Sequence, residues 1–251
     1  MAELDPAAGD DTPMANAKLV GGVWMPATER HFVEMMRPGA KRHAIRDGKW
    51  TYQTHKLDAA MRFVKQRRVC IDIGAHVGLW SMWLVGLFGQ VHAFEPVPLH
   101  AELFGRNVTA PNVTLHRRAL GAGTGTVSIT VPPDQTGHAH VTEGARRHAQ
   151  RGGHSPDSTW QRTDPVRMDT LDSYGFQEID FIKIDVEGYE LPVIQGAVET
   201  LRRCRPIVVI EQKGNDGSVY GGRANEALER LRGLGARELK VISGDYVMGW
   251  A

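Results

Sequence analysis

The sequence predicts an α/β protein built on a doubly wound, mostly parallel seven-stranded sheet that ends in an antiparallel hairpin. From residue 69 onward, short apolar runs alternate with amphipathic segments, which indicates parallel strands covered on both faces by helices. The last two runs are separated only by Ser243-Gly244-Asp245, which is typical of a hairpin turn. The predicted strands are Val69–Ile73, Gln90–Phe94, Val113–Arg117, Ile179–Ile184, Ile207–Glu211, Glu238–Ile242 and Tyr246–Trp250.

Amphipathic segments between these strands are predicted to be helices. Because crossovers between parallel strands are right-handed, successive helices should cover the two faces of the sheet. The predicted helices are Gly78–Phe88, Pro98–Asn107, Tyr189–Arg203 and Gly222–Gly233. One more short strand, Thr126–Val131, is predicted after the third strand of the sheet.

The chain before the sheet divides into two segments. Residues 1–17 are rich in Ala, Asp and Pro and are predicted to be disordered. Residues 18–68 form an N-terminal extension that is predicted to be partly helical, with breaks at Pro38-Gly39 and Asp47-Gly48.

The remainder of the chain, residues 69–251, is predicted to be the α/β domain, and it carries an insert at residues 132–165. The insert is rich in Gly, His, Arg, Ser and Thr and has no clear periodicity. A loop of this length in a compact domain is usually functional or disordered.

Length and composition exclude several classes of protein. The 251 residues, 41% of them hydrophobic, suit one large α/β domain, and no apolar run approaches the roughly 20 residues that span a bilayer. The acidic N-terminus lacks the basic start and apolar stretch of a secretory signal. Two cysteines make neither a metal site nor a disulfide framework. We therefore expect a cytoplasmic protein that has no membrane partner and is either a monomer or a homo-oligomer.

The formal net charge of +1 conceals a basic N-terminal extension. Between Glu29 and Arg68 the chain has eleven Lys or Arg residues and four acids. Such a segment is either a solvated charged surface or a surface that attracts an anionic substrate or partner. Charge alone does not separate these two interpretations.

The strongest local signal is the run from Val69 to Gly78, in which a buried strand is followed by a glycine turn and the start of a helix. Gly74 permits a backbone conformation and a close approach that a Cβ would block, and the helix N-terminus can face polar groups of a ligand. Three residues separate Gly74 from Gly78, so the run is not a G-x-G-x-x-G dinucleotide motif. Asp72 would repel a pyrophosphate but suits a ligand with an ammonium and a sulfonium, which favours S-adenosylmethionine.

Two further acids end neighbouring strands. Glu95 ends the second strand, about twenty residues beyond Gly74, where an acid can accept hydrogen bonds from both hydroxyls of a ribose. Asp185 ends the fourth strand, at the edge where open α/β sheets bind ligands, and Glu187 lies in the following turn. Glu190, which starts the next helix, is explained as well by the preference of helix N-termini for acids.

These motifs, taken in order, resemble the FkbM family of methyltransferases, a branch of the class I S-adenosylmethionine fold, which is Rossmann-like. The resemblance covers residues 69–211. The motifs that carry it are Ile71-Asp72-Ile73-Gly74-Ala75-His76-Val77-Gly78, Phe94-Glu95-Pro96, Ala119-Leu120-Gly121, Thr170-Leu171-Asp172, Phe181 to Glu190 and Pro206 to Glu211. Members of the family look like O-methyltransferases that act on sugars, macrolides and other natural products.

The resemblance implies that S-adenosyl-L-methionine is the cofactor and S-adenosyl-L-homocysteine the product. The implied cofactor-binding residues are Asp72, Gly74, Ala75, His76 and Gly78 around the methionine end, Glu95 and Pro96 at the ribose, Ala119 and Leu120 beside the adenine, and Asp185. The family commonly has Asn where this chain has His76. The N-terminal extension and the insert match the family poorly, so the acceptor is expected to be recognised there.

Methyl transfer to a hydroxyl needs a nucleophile aligned about 3 Å from the methyl group and a base that takes its proton. The candidate bases are Asp185, Glu187 and Glu211 at strand ends and His138 and His140 in the insert, where an extended loop would put both histidines on one face. An alternative places a divalent metal between Asp185, Glu187 and a histidine, although no dense ligand cluster in the sequence demands one. The favoured prediction is a site without a metal.

The sequence therefore predicts an S-adenosylmethionine-dependent O-methyltransferase that acts on a sugar, glycan or natural-product hydroxyl. The main alternative is a nucleic-acid or protein methyltransferase that docks through the basic extension. Amino-methylating DNA enzymes usually place Asn or Asp before Pro-Pro and an aromatic residue after the fourth strand, and this chain has Asp185-Val186-Glu187-Gly188 there. A non-catalytic scaffold would not need its set of glycines and acids, and a dehydrogenase would need a different glycine spacing.

Overall fold

The computed structural model describes residues 15–41, 43–143, 160–212 and 225–250. The predicted disorder of residues 1–14, the central part of the insert and the first residues of the predicted helix Gly222–Gly233 lie outside the described residues.

The N-terminal extension consists of two hairpins and two short helices. Its elements are β1 (Ala17–Val20), β2 (Val23–Pro26), α1 (His31–Met36), β3 (Ile45–Arg46), β4 (Lys49–Trp50) and α2 (Thr54–Ala60). β1 begins at Ala17, so the predicted disorder extends too far at that end. The predicted break at Asp47-Gly48 is the turn of the second hairpin, where both residues have positive φ.

The other strands and helices, in chain order, make up the α/β domain. The strands are β5 (Val69–Ile73), β6 (Gln90–Phe94), β7 (Val113–His116), β8 (Ala119–Leu120), β9 (Gly125–Val127), β10 (Ile129–Val131), β11 (His140–Val141), β12 (Gln161–Arg162), β13 (Val166–Asp169), β14 (Ile179–Ile184), β15 (Ile207–Glu211), β16 (Arg237–Ile242) and β17 (Asp245–Gly249). The helices are α3 (Ser81–Leu84), α4 (Pro98–Asn107), α5 (Glu190–Gln195), α6 (Val198–Cys204) and α7 (Glu226–Gly233).

The main sheet has seven strands in the order β16-β17-β15-β14-β5-β6-β7. β7, β6, β5, β14 and β15 are parallel, whereas β17 is antiparallel to both of its neighbours. The chain starts in the middle of the sheet, builds outward through β6 and β7, and returns to the other side of β5 with β14. The predicted doubly wound sheet and its antiparallel hairpin are confirmed, and the switch point, where such sheets bind ligands, lies between β5 and β14.

Both faces of the sheet are buried, as the apolar strands predict. On one face Ile73, Ile182 and Ile210 pack in a cluster with residues of α5, α6 and α7. On the other face Phe181 and Val209 pack against α2 and the segment around α3. Consecutive strand residues therefore reach different cores, because side chains alternate across a sheet.

Two predicted helices are shorter than expected. Gly78–Phe88 is predicted as one helix, but only Ser81–Leu84 is helical and turns occupy the flanking residues. Tyr189–Arg203 is divided into α5 and α6 at Gly196. A Cβ on Gly196 would lie 1.9 Å from the carbonyl oxygen of Gly121, so the backbones touch where the helix is interrupted.

The described ends of the insert pair with the strand before it. β11 and β12 both add to β10 and form a small antiparallel sheet. The 3₁₀ turn Thr136–His138 packs on the extension, where a Cβ on Gly137 would lie 2.3 Å from the Phe32 ring. Extension and insert thus meet above the carboxyl ends of β5 and β6.

Candidate active site

A partly open cleft of about 600 Å³ lies at the carboxyl ends of β5, β6 and β14. Of the predicted cofactor-binding residues, those that line it are Gly74, His76, Glu95, Pro96, Ala119, Leu120 and Asp185. Asp72, Ala75 and Gly78 lie behind its wall. Of the candidate bases, Asp185, Glu187 and His140 line the cleft, whereas Glu211 and His138 do not.

The glycine loop after β5 forms the floor of the cleft. Gly74 has a φ of 75°, and a Cβ there would lie 1.9 Å from the carbonyl oxygen of Asp185. The amides of Gly74 and Ala75 both donate to the carbonyl oxygen of Phe94, at 3.1 Å. Gly78 serves packing, because its Cβ would lie 2.6 Å from a methyl group of Val108. The ends of three strands can meet closely here only because position 74 has no side chain.

Asp72 is fully buried beneath this loop and does not line the cleft. Its Oδ2 accepts a hydrogen bond from Ser81 Oγ at 2.7 Å, and its Oδ1 lies 3.6 Å from Lys183 Nζ. The structure therefore shows Asp72 supporting the loop from below, whereas the resemblance implies direct contact with the methionine end.

Lys183, on the neighbouring strand β14, ties the two ligand-facing loops together. Its Nζ donates to the carbonyl oxygen of Gly74 at 3.2 Å and lies 3.5 Å from Asp185 Oδ2. Burial by itself lowers the pKa of Lys183, but Asp185 and Asp72 outweigh that effect and raise the pKa above its ordinary value. Sequence reasoning did not assign Lys183 a role, although a lysine inside the apolar strand Ile179–Ile184 is a signal for a buried charge pair.

Glu95 is buried in the wall of the cleft at the end of β6. Its Oε2 accepts from the backbone amide of His76 at 2.8 Å, and its Oε1 accepts from the amide of Val97 at 2.9 Å. The Nδ1 of His100 lies 3.4 Å from Oε1. Because a carboxylate has about four acceptor positions, Glu95 retains capacity for ligand hydroxyls after these contacts.

His76 connects the glycine loop to the extension and the insert. It has a φ of 52°, its Nε2 is 2.9 Å from Thr136 Oγ1, and its ring lies 4.1 Å from that of His100 and 5.1 Å from that of Phe32. Burial, followed by the neighbouring His100 and Lys183, holds the pKa of His76 well below its ordinary value. The imidazole is therefore neutral at pH 7.

The turn after β14 presents two acids to the cleft. Glu187 has a φ of 52° and Gly188 one of 99°, so this turn includes a non-glycine residue in the left-handed region. The buried Glu190 braces it, because its Oε1 accepts from the amides of Gly188 at 3.1 Å and Val186 at 3.3 Å. Burial raises the pKa of Glu190 to about 7. Glu190 thus supports the turn that carries Asp185 and Glu187.

Asp185, Glu187 and Glu211 form an acidic cluster in which one carboxylate oxygen from each lies within 4.8 Å of the others. Carboxylate oxygens are the preferred ligands of Mg²⁺ and Ca²⁺, so this set could hold a divalent ion, with Glu211 in place of the predicted histidine. Tyr52 of the extension faces the same cluster. Burial, followed by Asp185, Glu211 and Glu187, raises the pKa of its phenol well above the ordinary value.

The two insert histidines do not share a face, as an extended loop would require. The 3₁₀ turn Thr136–His138 separates them, and His140 Nδ1 donates to the carbonyl oxygen of His138 at 2.9 Å. His140 is buried in the cleft wall and packs edge-on against Trp160. The ring of His138 contacts that of His31, at 5.3 Å, outside the cleft lining.

Comparison with protein-family models matches residues 72–237 to the methyltransferase FkbM domain, which is more than half of the chain. The chain belongs to the FkbM methyltransferase family. The matched residues include the glycine loop, Glu95, the insert and the acidic cluster, and the order of the seven strands is that of the class I methyltransferase fold.

Two fungal proteins are similar to this FkbM-family chain. It is 27% identical to methyltransferase sdnD of Sordaria araneosa over 56% of its own length and 64% of the relative's. It is 24% identical to methyltransferase 1 of Beauveria bassiana over 50% of its own length and 57% of the relative's. The chain therefore matches about three fifths of the length of these relatives. A solved FkbM methyltransferase from Methylobacillus flagellatus is 19% identical, with a TM-score of 0.45 over 74% of this chain and 44% of the other.

The N-terminal extension lies outside the family match, yet it contributes to the site. Tyr52 faces the acidic cluster, and Glu29 and Phe32 contact Thr136 and His76. None of the helices in the described residues is long and apolar enough to cross a membrane.

Proposed function

We propose that the protein transfers a methyl group from S-adenosyl-L-methionine to a hydroxyl group of a sugar, glycan or natural-product small molecule. The observation that carries this proposal is the meeting of Glu95 and Asp185 at one cleft around Gly74. That arrangement separates an acid suited to a ribose from an acid suited to an ammonium by a loop that admits a ligand closely.

The residues of the cleft fit this cofactor along its length. Ala119 and Leu120 provide an apolar wall for the adenine, and Glu95 has remaining acceptor capacity for the ribose. Asp185 would complement the ammonium of the methionine end, and Lys183 beneath it would hold that carboxylate in place. When bound, the cofactor supplies a methyl group on a positively charged sulfur.

The acceptor would enter from the side of the extension and the insert. An alcohol is hardly ionised at neutral pH, so a positioned base contributes typically 10²- to 10⁴-fold to its reaction. Glu187 is suited to this role, because its strained turn directs it to the cleft beside Asp185 and the turn is braced by Glu190. Asp185 and His140 are the alternative bases in the same cleft.

A hydroxyl acceptor is favoured over an amino group on a nucleic-acid base. The cluster of three carboxylates beside the cleft suits removal of a proton from an alcohol or, with a divalent ion, orientation of substrate oxygens. The segment Asp185-Val186-Glu187-Gly188 also lacks the Pro-Pro-aromatic sequence that is usual in amino-methylating DNA enzymes.

The test combines cofactor binding with identification of the product. We expect the protein to bind S-adenosylhomocysteine in calorimetry and to transfer label from methyl-labelled S-adenosylmethionine to a small molecule in host extract. Absence of cofactor binding would remove the proposal, and label recovered only in protein or nucleic acid would replace it with the corresponding macromolecular methyltransferase. Repeating the reaction with EDTA decides the metal question, since full activity would exclude a required divalent ion.

A further inference from the structure

A chain of three buried polar side chains links the extension, the insert and the glycine loop. Glu29 follows β2, Thr136 begins the 3₁₀ turn of the insert, and His76 lies in the loop after β5. Thr136 Oγ1 is 2.5 Å from Glu29 Oε2 and 2.9 Å from His76 Nε2. The residues are 0%, 3% and 8% exposed, so water does not compete for these bonds.

The geometry sets the direction of the hydrogen bonds. Glu29 accepts from the backbone amides of Phe32 at 2.8 Å and Thr136 at 2.7 Å, so both of its oxygens act as acceptors. The Thr136 hydroxyl therefore gives its one proton to Glu29 and offers a lone pair to His76. The proton of the neutral His76 ring must then lie on Nε2.

This tautomer leaves Nδ1 of His76 with a lone pair. Nδ1 is buried and has no hydrogen-bond partner among the residues that the structure describes. A buried acceptor without a partner is costly, and such an atom in the wall of a cleft indicates that a ligand supplies the donor.

The position of His76 indicates which ligand group this is. Its amide holds Oε2 of Glu95, and its ring packs on His100, whose Nδ1 lies 3.4 Å from the other oxygen of Glu95. His76 and Glu95 therefore present two kinds of acceptor at one end of the cleft. A vicinal diol has two donors of matching type.

We infer that Glu29 and Thr136 are positioning residues that keep the proton of His76 on Nε2, so that Nδ1 accepts a hydrogen bond from a ribose hydroxyl of the methyl donor. This rests on the proposed function, because the diol belongs to S-adenosylmethionine. It assigns the extension a part in cofactor binding, since Glu29 lies outside the family domain.

The first test is the ¹⁵N NMR spectrum of histidine-labelled protein, with His76→Asn used to assign the His76 signals. Wild-type protein should show the Nε2–H tautomer, and saturation with S-adenosylhomocysteine should shift the Nδ1 signal. Thr136→Val should redistribute the tautomers, whereas Thr136→Ser, which keeps the hydroxyl, should preserve the wild-type state. An Nδ1–H tautomer in wild type would overturn the inference.

The second test measures binding of S-adenosylhomocysteine and of an analogue that lacks both ribose hydroxyls. Loss of one hydrogen bond corresponds to about five- to tenfold in affinity, so Thr136→Val and Glu29→Gln should reduce the preference for the natural ligand by about that factor. Thr142→Val is the matched control, because Thr142 lies in the same insert but bonds to Thr130. It should retain the full preference.

The outcomes separate the two proposals. If S-adenosylhomocysteine does not bind to wild-type protein, the proposed function fails. If it binds but neither moves the Nδ1 signal nor loses its advantage over the analogue in Thr136→Val, only the role of the Glu29–Thr136–His76 chain fails.

Discussion

Lys183 illustrates how a single buried charge organises the candidate site. It lies on β14 between two carboxylates, Asp72 below the cleft and Asp185 at its edge, and it also binds the backbone of Gly74. A buried cation of this kind is tolerated because several acceptors surround it, and it holds those acceptors in fixed positions. Lys183 and Asp72 therefore determine where the ligand-facing residues lie without lining the cleft themselves.

Glu187→Gln is expected to lower turnover by about 10²- to 10⁴-fold, since the amide cannot accept the proton of the alcohol. Affinity for S-adenosylhomocysteine should stay close to wild type, because the substitution keeps the size of the side chain. Initial rates with the identified acceptor, together with calorimetry, separate the two effects. Glu199→Gln, at a carboxylate that is 66% exposed, is the control. Wild-type turnover in Glu187→Gln would transfer the role of base to Asp185 or His140.

Gly74→Ala is expected to lower the free energy of unfolding by at least about 2 kcal/mol, because the new Cβ would meet the carbonyl oxygen of Asp185 at a positive φ. Urea unfolding followed by circular dichroism measures the change. Gly105→Ala is the matched control, since position 105 lies inside α4 with open space around a Cβ, and alanine should stabilise the helix by about 0.5–1 kcal/mol. Equal stability of the two variants would mean that the strand-end loops are not in contact as described.

At the scale of secondary-structure elements, the extension is attached to the far end of the domain by one buried ion pair. Lys56 of α2 and Asp245 of β17 lie 2.6 Å apart, and their side chains are about 5% exposed. This pair holds α2 over the sheet, beside the segment that carries Tyr52 to the acidic cluster. The extension is thereby connected to the site from two directions, through Glu29 and through α2.

Lys56→Met is expected to cost about 3–5 kcal/mol of stability, because it leaves Asp245 buried without a counter-charge. Replacing both residues, as Lys56→Met with Asp245→Leu, should recover much of that loss. Denaturant unfolding of the single and double variants measures both effects. Arg37→Met breaks a pair with Glu34 that is about 60% exposed and should cost less than about 1 kcal/mol. A similar loss in Lys56→Met and Arg37→Met would contradict the buried pair.

At the scale of the whole molecule, the sheet buries titratable groups whose neutral forms the fold prefers. His92 and His116, on neighbouring strands, have ring nitrogens 3.1 Å apart and pack among Phe94, Tyr174 and Phe176. Burial lowers the pKa of both, and that of His116 reaches about 4. Protonation of either histidine therefore opposes folding.

The stability of the fold should consequently depend on pH between about 6.5 and 4. The folded pKa of His116 lies below the unfolded value of about 6.5, so its contribution is fully present above pH 6.5 and is lost as the pH falls toward 4. His116→Phe keeps the stacking but removes the titration, and we expect the difference in unfolding free energy between wild type and this variant to change across that window. The same difference at pH 8 and pH 4.5 would show that His116 does not contribute.

The strands and acids of the sheet were predictable because their signals are local. β5, β6, β14 and β15 begin and end where the sequence predicts, since continuous apolar runs mark strands that are buried on both faces. The hairpins of the extension were not predictable, because strands of two to four residues are too short to show a periodic pattern. The division of the predicted helix Tyr189–Arg203 was missed too, because it results from contact with Gly121, which is remote in sequence.

By itself, the sequence determined the doubly wound sheet, the family and the placement of Gly74, Glu95 and Asp185 at one edge, because apolar periodicity and strand order dictate which residues follow the carboxyl ends. Only the tertiary structure decided that Asp72 lies behind the cleft, that Lys183 joins its two loops and that Glu29 and Thr136 hold His76. These contacts join residues 60 to 111 positions apart. No local pattern encodes them, because they arise only when the extension and the insert pack over the finished sheet.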